Sequence, residues 1–181
     1  TCCGSGTILI EAAMMARNIA PGLTRKFAAM DWDLIPDELW DEERQAAYRA
    51  VDYDSELIIR GFDINGKAIA AAMANAMEAG VEEDISFSRM DMRKFRADES
   101  NGIIITNPPY GERIGDKEAI HKIYERLKEI LEKDPTWSLF MITTDREVEK
   151  IFDRKADRRR KLYNGRLQTT YYQFHGQKIS K

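Results

Sequence analysis

The sequence predicts an α/β fold: a mostly parallel twisted sheet, helices on both faces, and an antiparallel hairpin at the C-terminal edge. Three observations carry that reading. Short apolar runs at 57–63 (LIIRGFD) and 102–106 (GIIIT) have strand length and alternate with helix-forming stretches, the rhythm of strand–helix units in a parallel sheet. Asn164-Gly165, between 159–163 and 167–174, is a strong hairpin signal. The 181 residues, 43% hydrophobic and 33% charged, suit one compact domain with a real core.

Each element follows from its local chemistry. Residues 1–7 (TCCGSGT) form a glycine-rich turn that opens a helix at 7–17, with Thr7 able to cap its first turn. Such a turn needs a strand before it, so the full-length protein is expected to continue upstream and this piece to lack its first core strand. Residues 18–56, with Pro21-Gly22, Trp32, Pro36, Trp40 and an amphipathic helix near 37–51, read as an insertion. The strand at 57–63 ends on Asp63, and an Ala/Met helix at 68–79 stops at Gly80. A shorter strand at 84–89 ends near Asp91, and 102–106 leads directly into Asn107-Pro108-Pro109-Tyr110. A helix at about 117–133, a strand at 137–143 and the hairpin complete the chain, without internal repeats, low-complexity tracts or a convincing linker.

Composition narrows the function classes. Twenty-eight Lys and Arg against 31 Asp and Glu give a net charge of −3, which excludes a domain that grips nucleic acid by bulk electrostatics; a polyanion partner needs a local basic patch. Cys2 and Cys3 are adjacent, so they build neither a disulfide framework nor a zinc site, and a reducing cytoplasm is the expected compartment. His121 and His175 lack metal-ligand spacing, so no metal is expected. Apolar stretches fall short of the ~20 residues a bilayer span needs, and no signal-peptide pattern opens the chain, so no membrane association is expected.

Four places carry candidate chemistry. Gly4-Ser5-Gly6 before a helix offers unpaired N–H groups at a positive helix end, suited to a carboxylate or phosphate, although an ordinary tight loop has the same composition. Asp63 at a strand end suits two ribose hydroxyls; it stands about 57 residues beyond Gly6 against about 20 in nucleotide-binding folds, and the insertion accounts for the excess. The alternative for Asp63 is a cap on the next helix. Asp91 suits an adenine amino group, with Met90 and Met92 offering apolar contact, and its alternative is a solvated local cap. In Asn107-Pro108-Pro109-Tyr110 the prolines stiffen an extended loop. There the Asn107 side-chain oxygen and the Pro108 carbonyl can accept both hydrogens of a planar exocyclic amine, and Tyr110 can stack on a flat substrate.

The series TCCGSGT, Asp63, Asp91 and NPPYGER resembles the motif series of class I S-adenosylmethionine-dependent amino-methyltransferases, whose fold is Rossmann-like. More narrowly, CGSGTILIEAAMMARNIAPG, the Trp-containing insertion, GFDIN and NPPYGERIG resemble the bacterial 23S rRNA guanine-N2 methyltransferases, relatives of which carry the label N6-adenine-specific DNA methylase. The resemblance covers nearly the whole chain. It implies that Gly4, Ser5, Gly6 and Thr7 hold the methionine end of S-adenosylmethionine, Asp63 the ribose and Asp91 the adenine, with Cys3, Ile64 and Met92 also at the cofactor. It implies further that Asn107, Pro108, Pro109 and Tyr110 present the target amine, Asn107 also adjoining the cofactor. Two departures stand out: the chain begins too late to show the acidic residue the family has before its glycine loop, and Thr1 stands where the family has proline. The family carries an upstream RNA-binding THUMP domain, which would let an acidic catalytic piece find ribosomal RNA.

The expected activity is therefore methyl transfer from S-adenosylmethionine to a guanine N2 in 23S rRNA. Adenine N6 in DNA and a protein glutamine amide remain open acceptors, because the loop accommodates any planar amine, and a non-catalytic cofactor- or RNA-binding module is the rival of another class. The basic run at 154–161 suits either phosphate contact or a protected hairpin edge. Trp32, Trp40 and Trp137 read as packing residues, and Cys3 as a small packing residue without a base to activate it.

Overall fold

The computed structural model describes residues 2–32, 34–110 and 116–177. After a glycine turn, α1 (Thr7–Ala16) leads through a single 3-10 turn (Ala28–Asp31) to α2 (Asp37–Arg49). Then follow β1 (Ile59–Asp63), α3 (Gly66–Ala79), β2 (Ile85–Arg89) and β3 (Ile103–Thr106). The chain continues with α4 (Asp116–Lys133), β4 (Ser138–Thr143), the short α5 (Val148–Ile151), β5 (Arg158–Asn164) and β6 (Leu167–Phe174).

The expected single sheet is two sheets among the described residues: a parallel pair β1-β2 and a four-stranded sheet of order β3-β4-β6-β5. β3 and β4 are parallel, whereas β6 runs antiparallel to both β4 and β5. The hairpin thus forms the antiparallel edge anticipated from sequence. Residues 2 and 3 lie between the two sheets at their C-terminal ends: the Cys3 amide donates to the Phe62 carbonyl on β1 at 2.9 Å, and the Cys2 thiol lies against Thr106 on β3.

Strand pleating puts helices on both faces. Ile59 and Gly61 of β1 face α1 and α3, in a cluster built on Ile10, Ala13, Ala76, Val81 and Ile85. Phe62, on the opposite face, joins the larger cluster, where Tyr124 and Leu127 of α4 meet Leu139 and Met141 of β4 and Phe174 of β6, all fully buried. Each large apolar side chain so buried contributes about 1.5–3 kcal/mol. Gly61 is forced small by this packing, since a Cβ there would lie 2.5 Å from the Phe87 ring.

Three local expectations change. Thr7 does not cap α1: Gly6 holds the cap position with φ +84°, a left-handed backbone that glycine adopts freely, and the Thr7 hydroxyl instead meets Ser5 at 3.3 Å. The hairpin turn is Gly165-Arg166, one residue later than expected, because Asn164 and Leu167 already pair as strand residues. Gly165 has φ +59°, and glycine first in a two-residue loop is the II′ signature. Trp32 is 58% exposed, unlike Trp40, which stacks on Phe27 at 6.2 Å, and Trp137, which covers Gly102 and donates to the Glu99 carbonyl at 2.6 Å.

Candidate functional site

The site lies at the C-terminal ends of β1 and β3, joined by the glycine turn. Asp63 ends β1 and organises that turn: its Oδ2 accepts from the Gly4 amide at 3.0 Å and its Oδ1 from the Asn65 amide at 2.9 Å. Asp63 does not cap α3. That task falls to Asn65, whose side chain accepts from the Lys67 amide at 3.0 Å. Each carboxylate oxygen has two lone pairs, so one per oxygen stays available for a hydroxyl.

The turn has the shape of a cradle. Gly4 has φ +54°, and a Cβ built there meets nothing within 4 Å, so that side of the loop is open. Gly6 is closed from behind, since a Cβ would lie 3.0 Å from the Ala72 Cβ and 3.3 Å from the Phe87 ring. No side chain caps α1, leaving first-turn N–H groups for an acceptor from outside. Asn75 Nδ2 ties the loop down through the Ser5 carbonyl at 2.9 Å. Ile64, 58% exposed beside Asp63, offers an apolar surface to a ring.

Asp91 follows β2 and caps a 3-10 turn, accepting from the Arg93 amide at 3.0 Å. The Arg93 guanidinium also engages both Asp91 oxygens, and this hydrogen-bonded pair holds the carboxyl below its usual range. Asp91 therefore stays ionised, with Arg93 as its present partner. Met92 cannot offer its side chain to a ligand: it is 4% exposed and belongs to the larger core cluster.

The Asn107-Pro108-Pro109-Tyr110 segment leaves β3 without regular secondary structure. Pro108 is buried and anchors it, whereas Asn107 and Pro109 are exposed and Tyr110 is half-buried. Residues 111–115 of the GERIG extension, like Thr1, lie outside the described residues. Cys2 and Cys3 are free thiols whose pKa burial pushes up, so neither is an activated nucleophile, in keeping with the packing role expected for Cys3.

Sequence reasoning missed a cavity of about 290 Å³ that opens beside Tyr110, lined also by Lys117, Tyr124, Asp145 and Arg146. At its wall the Asp145 Oδ2 meets His121 Nε2 at 3.1 Å, and Oδ1 accepts from the Glu147 amide at 2.8 Å. Behind it the Thr143 hydroxyl links the Asp145 amide at 3.1 Å to the buried Tyr124 hydroxyl at 2.9 Å. His121, Asp145 and Glu147 bring ligand-type atoms within 4.8 Å of one another, a grouping that their spacing did not announce. A larger groove of about 950 Å³ runs between the 93–100 loop and α4, where Arg96, Arg126 and Lys133 are matched by Glu99, Glu129 and Asp134. Its lining is mixed in charge, five Lys and Arg against four Asp and Glu.

Comparisons with known proteins converge on this site's family. The chain is 41% identical over 172 residues to the Bacillus subtilis protein named "Putative RNA methyltransferase YpsC", covering 95% of this chain and 45% of that protein. It is 38% identical over 174 residues to "Ribosomal RNA large subunit methyltransferase K/L" of Shewanella frigidimarina, covering 93% and 24%. The chain thus spans less than half the length of these curated relatives. Among solved structures, SMU.472, described as "a putative methyltransferase complexed with SAH", superposes with a TM-score of 0.91 at 43% identity, covering 98% of this chain and 47% of that one. A Listeria monocytogenes protein described as a "predicted N6-adenine-specific DNA methylase" superposes with a TM-score of 0.88 at 39% identity, covering 97% and 45%. The UPF0020 family model, described as the RMKL-like methyltransferase domain, matches residues 2–173, and the chain belongs to that family.

Proposed function

We propose that this chain is the catalytic domain of a cytoplasmic enzyme that methylates the exocyclic N2 amine of a guanine in large-subunit ribosomal RNA, using S-adenosylmethionine. The carrying observation is that the glycine turn fastens to β1 through Asp63 and the Phe62 carbonyl while Cys2 lies against Thr106 at the end of β3, so the cradle and the Asn107 loop adjoin one crevice. The cofactor supplies an electrophilic methyl carbon on a sulfonium. Gly4 through Thr7 would hold its methionine end and Asp63 its ribose hydroxyls. Asp91 would receive its adenine amine once Arg93 shares the carboxylate, with Ile64 against the ring and Met92 limited to its backbone.

At the acceptor side the Asn107 side-chain oxygen and the Pro108 carbonyl take the two amine hydrogens and turn the nitrogen lone pair toward the crevice. Tyr110 stacks on the base. Because the amine is a poor nucleophile in its ground state, placement and polarisation do most of the work. The cavity beside Tyr110 favours guanine over adenine. A guanine presents N1–H and O6 next to its N2 amine, matching the Asp145 carboxylate and the Lys117 or Arg146 cation; an adenine presents the N1 lone pair next to N6, facing a carboxylate that repels it.

The test is transfer of labelled methyl groups by the intact protein to an unmodified 23S rRNA transcript, DNA and a release factor, followed by analysis of the modified residue. N2-methylguanosine is expected. N6-methyladenine or a methylated glutamine would replace the acceptor, and cofactor binding without transfer to any of them would favour a non-catalytic module.

A further inference from the structure

A run of positive charge, largely without ion pairs among the described residues, sits on one strand. Residues 154–161 contain six Lys and Arg and one Asp in a chain of net charge −3. On β5, Arg158, Arg159, Arg160 and Lys161 follow one another and all are exposed. Arg159 is held by Glu149 at 2.8 Å, but among the described residues Arg158, Arg160 and Lys161 make no ion pair. Alternation points these side chains to both faces, and among the described residues β5 is paired on one side only, no described strand covering its outer edge. A single lysine commonly suffices to discourage strand addition. Four successive cations go beyond that requirement.

The strand is also aimed. At its C-terminal end the Asn164 side-chain amide lies 3.4 Å from the Tyr110 hydroxyl, which ties the hairpin tip to the candidate base cavity. Next to it Tyr163 is 64% exposed, with the Lys161 ammonium 5.2 Å from its ring centroid. From this tip β5 runs about 20 Å outward at the usual strand rise. A cationic track with an exposed ring at one end has the make-up of a single-strand nucleic acid platform, where phosphates meet cations and an unpaired base stacks on the aromatic.

We propose that β5 is an RNA-docking edge: single-stranded RNA flanking the target nucleotide lies along it, with phosphates on Arg158, Arg160 and Lys161 and a neighbouring base on Tyr163. This rests on the RNA reading above and adds the path of the strand. The experiment measures binding of the intact protein to an unmodified 23S rRNA transcript across a salt series, together with methyl transfer. Changing Arg158, Arg160 and Lys161 together to Ala should weaken RNA binding at least tenfold and reduce the slope of log affinity against log salt by about 2, given about 0.7 per single-strand phosphate contact. Cofactor affinity and kcat at saturating RNA should stay within about threefold. Arg158→Lys with Arg160→Lys should retain the slope, and Tyr163→Ala should lower affinity without changing it. Unchanged RNA affinity and slope in the triple variant, with wild-type protein binding RNA, would leave β5 a protected edge and overturn the proposal alone. A wild-type protein that neither binds nor methylates RNA would overturn the parent reading and this one together.

Discussion

Asn107 is exposed while Pro108 behind it is buried, so the group proposed to meet the substrate and the group that fixes the loop are adjacent residues with separate tasks. Asn107→Ala should lower turnover on the order of 100-fold or more, by loss of one polarising acceptor, and leave cofactor affinity nearly intact; single-turnover rates check this, and unchanged rates count against the mechanism. Asp145→Asn should lower kcat/KM on guanine RNA by about 10- to 100-fold, the worth of one base-edge contact, and have a much smaller effect on a substrate carrying 2-aminopurine, which keeps the amine and lacks N1–H. An equal loss on both substrates would make Asp145 merely structural. The loop and Asp63 were legible in the sequence because strand ends and prolines are local signals. The Asp145–His121 pair was not, since the partners lie 24 positions apart and meet only when α4 packs beside the end of β4. Behind that pair, Tyr124 has its pKa raised to about 12, chiefly by burial. A phenol whose folded pKa exceeds its unfolded value near 10 stabilises the fold fully below pH 10, and that contribution is lost as pH rises from about 10 through about 12. In an ultraviolet alkaline titration Tyr124 should stay protonated well above pH 10, and Tyr124→Phe should remove that late component and cost about 1 kcal/mol through loss of the buried bond to the Thr143 hydroxyl, which keeps its bond from the Asp145 amide.

Element boundaries came out close to expectation where a backbone signal marks them. Gly80 ends α3 with φ +70°, and the apolar runs became β1 and β3 within two residues of their expected limits. Where the signal was ambiguous, pairing decided: Asn164-Gly165 has turn chemistry, yet Asn164 remains in the ladder and the loop moves one residue onward. The short α5 escaped notice because four residues cannot show a helical period. The alternative reading of Asp63, a cap on α3, does not hold. Asn65 performs it, which leaves Asp63 free to hold the glycine turn. Asn65→Ala should cost about 1 kcal/mol of stability, read as a lower denaturation midpoint at constant m-value, without shifting Asp63.

Across the whole molecule, the division into two sheets gives two cores of unequal size. The larger one joins β3, β4 and β6 to α4 and α5, while α1, α3, β1 and β2 share a smaller cluster built largely on alanine and isoleucine. Phe62, 5.3 Å from Phe95 between ring centroids, and the Arg60–Glu99 pair at 2.7 Å tie the smaller unit to the larger, the latter at exposed positions where an ion pair contributes little. Alternating strands and helices announced the components but not this partition, because periodicity says which face is apolar and not which strands will pair. Native-state hydrogen exchange should therefore separate the two: amides of Leu139 and Met141 should open only with global unfolding, and those of Gly61 and Ser88, which face each other's strand in the parallel ladder, by a smaller opening of lower free energy. A cofactor held at the Gly4–Asp63 turn, as proposed, would touch both units, so saturating S-adenosylmethionine should slow the Gly61 and Ser88 amides more than the Leu139 amide. Equal protection at all four positions without ligand would instead make the domain one cooperative unit and remove this route by which occupancy of the site is felt in the fold.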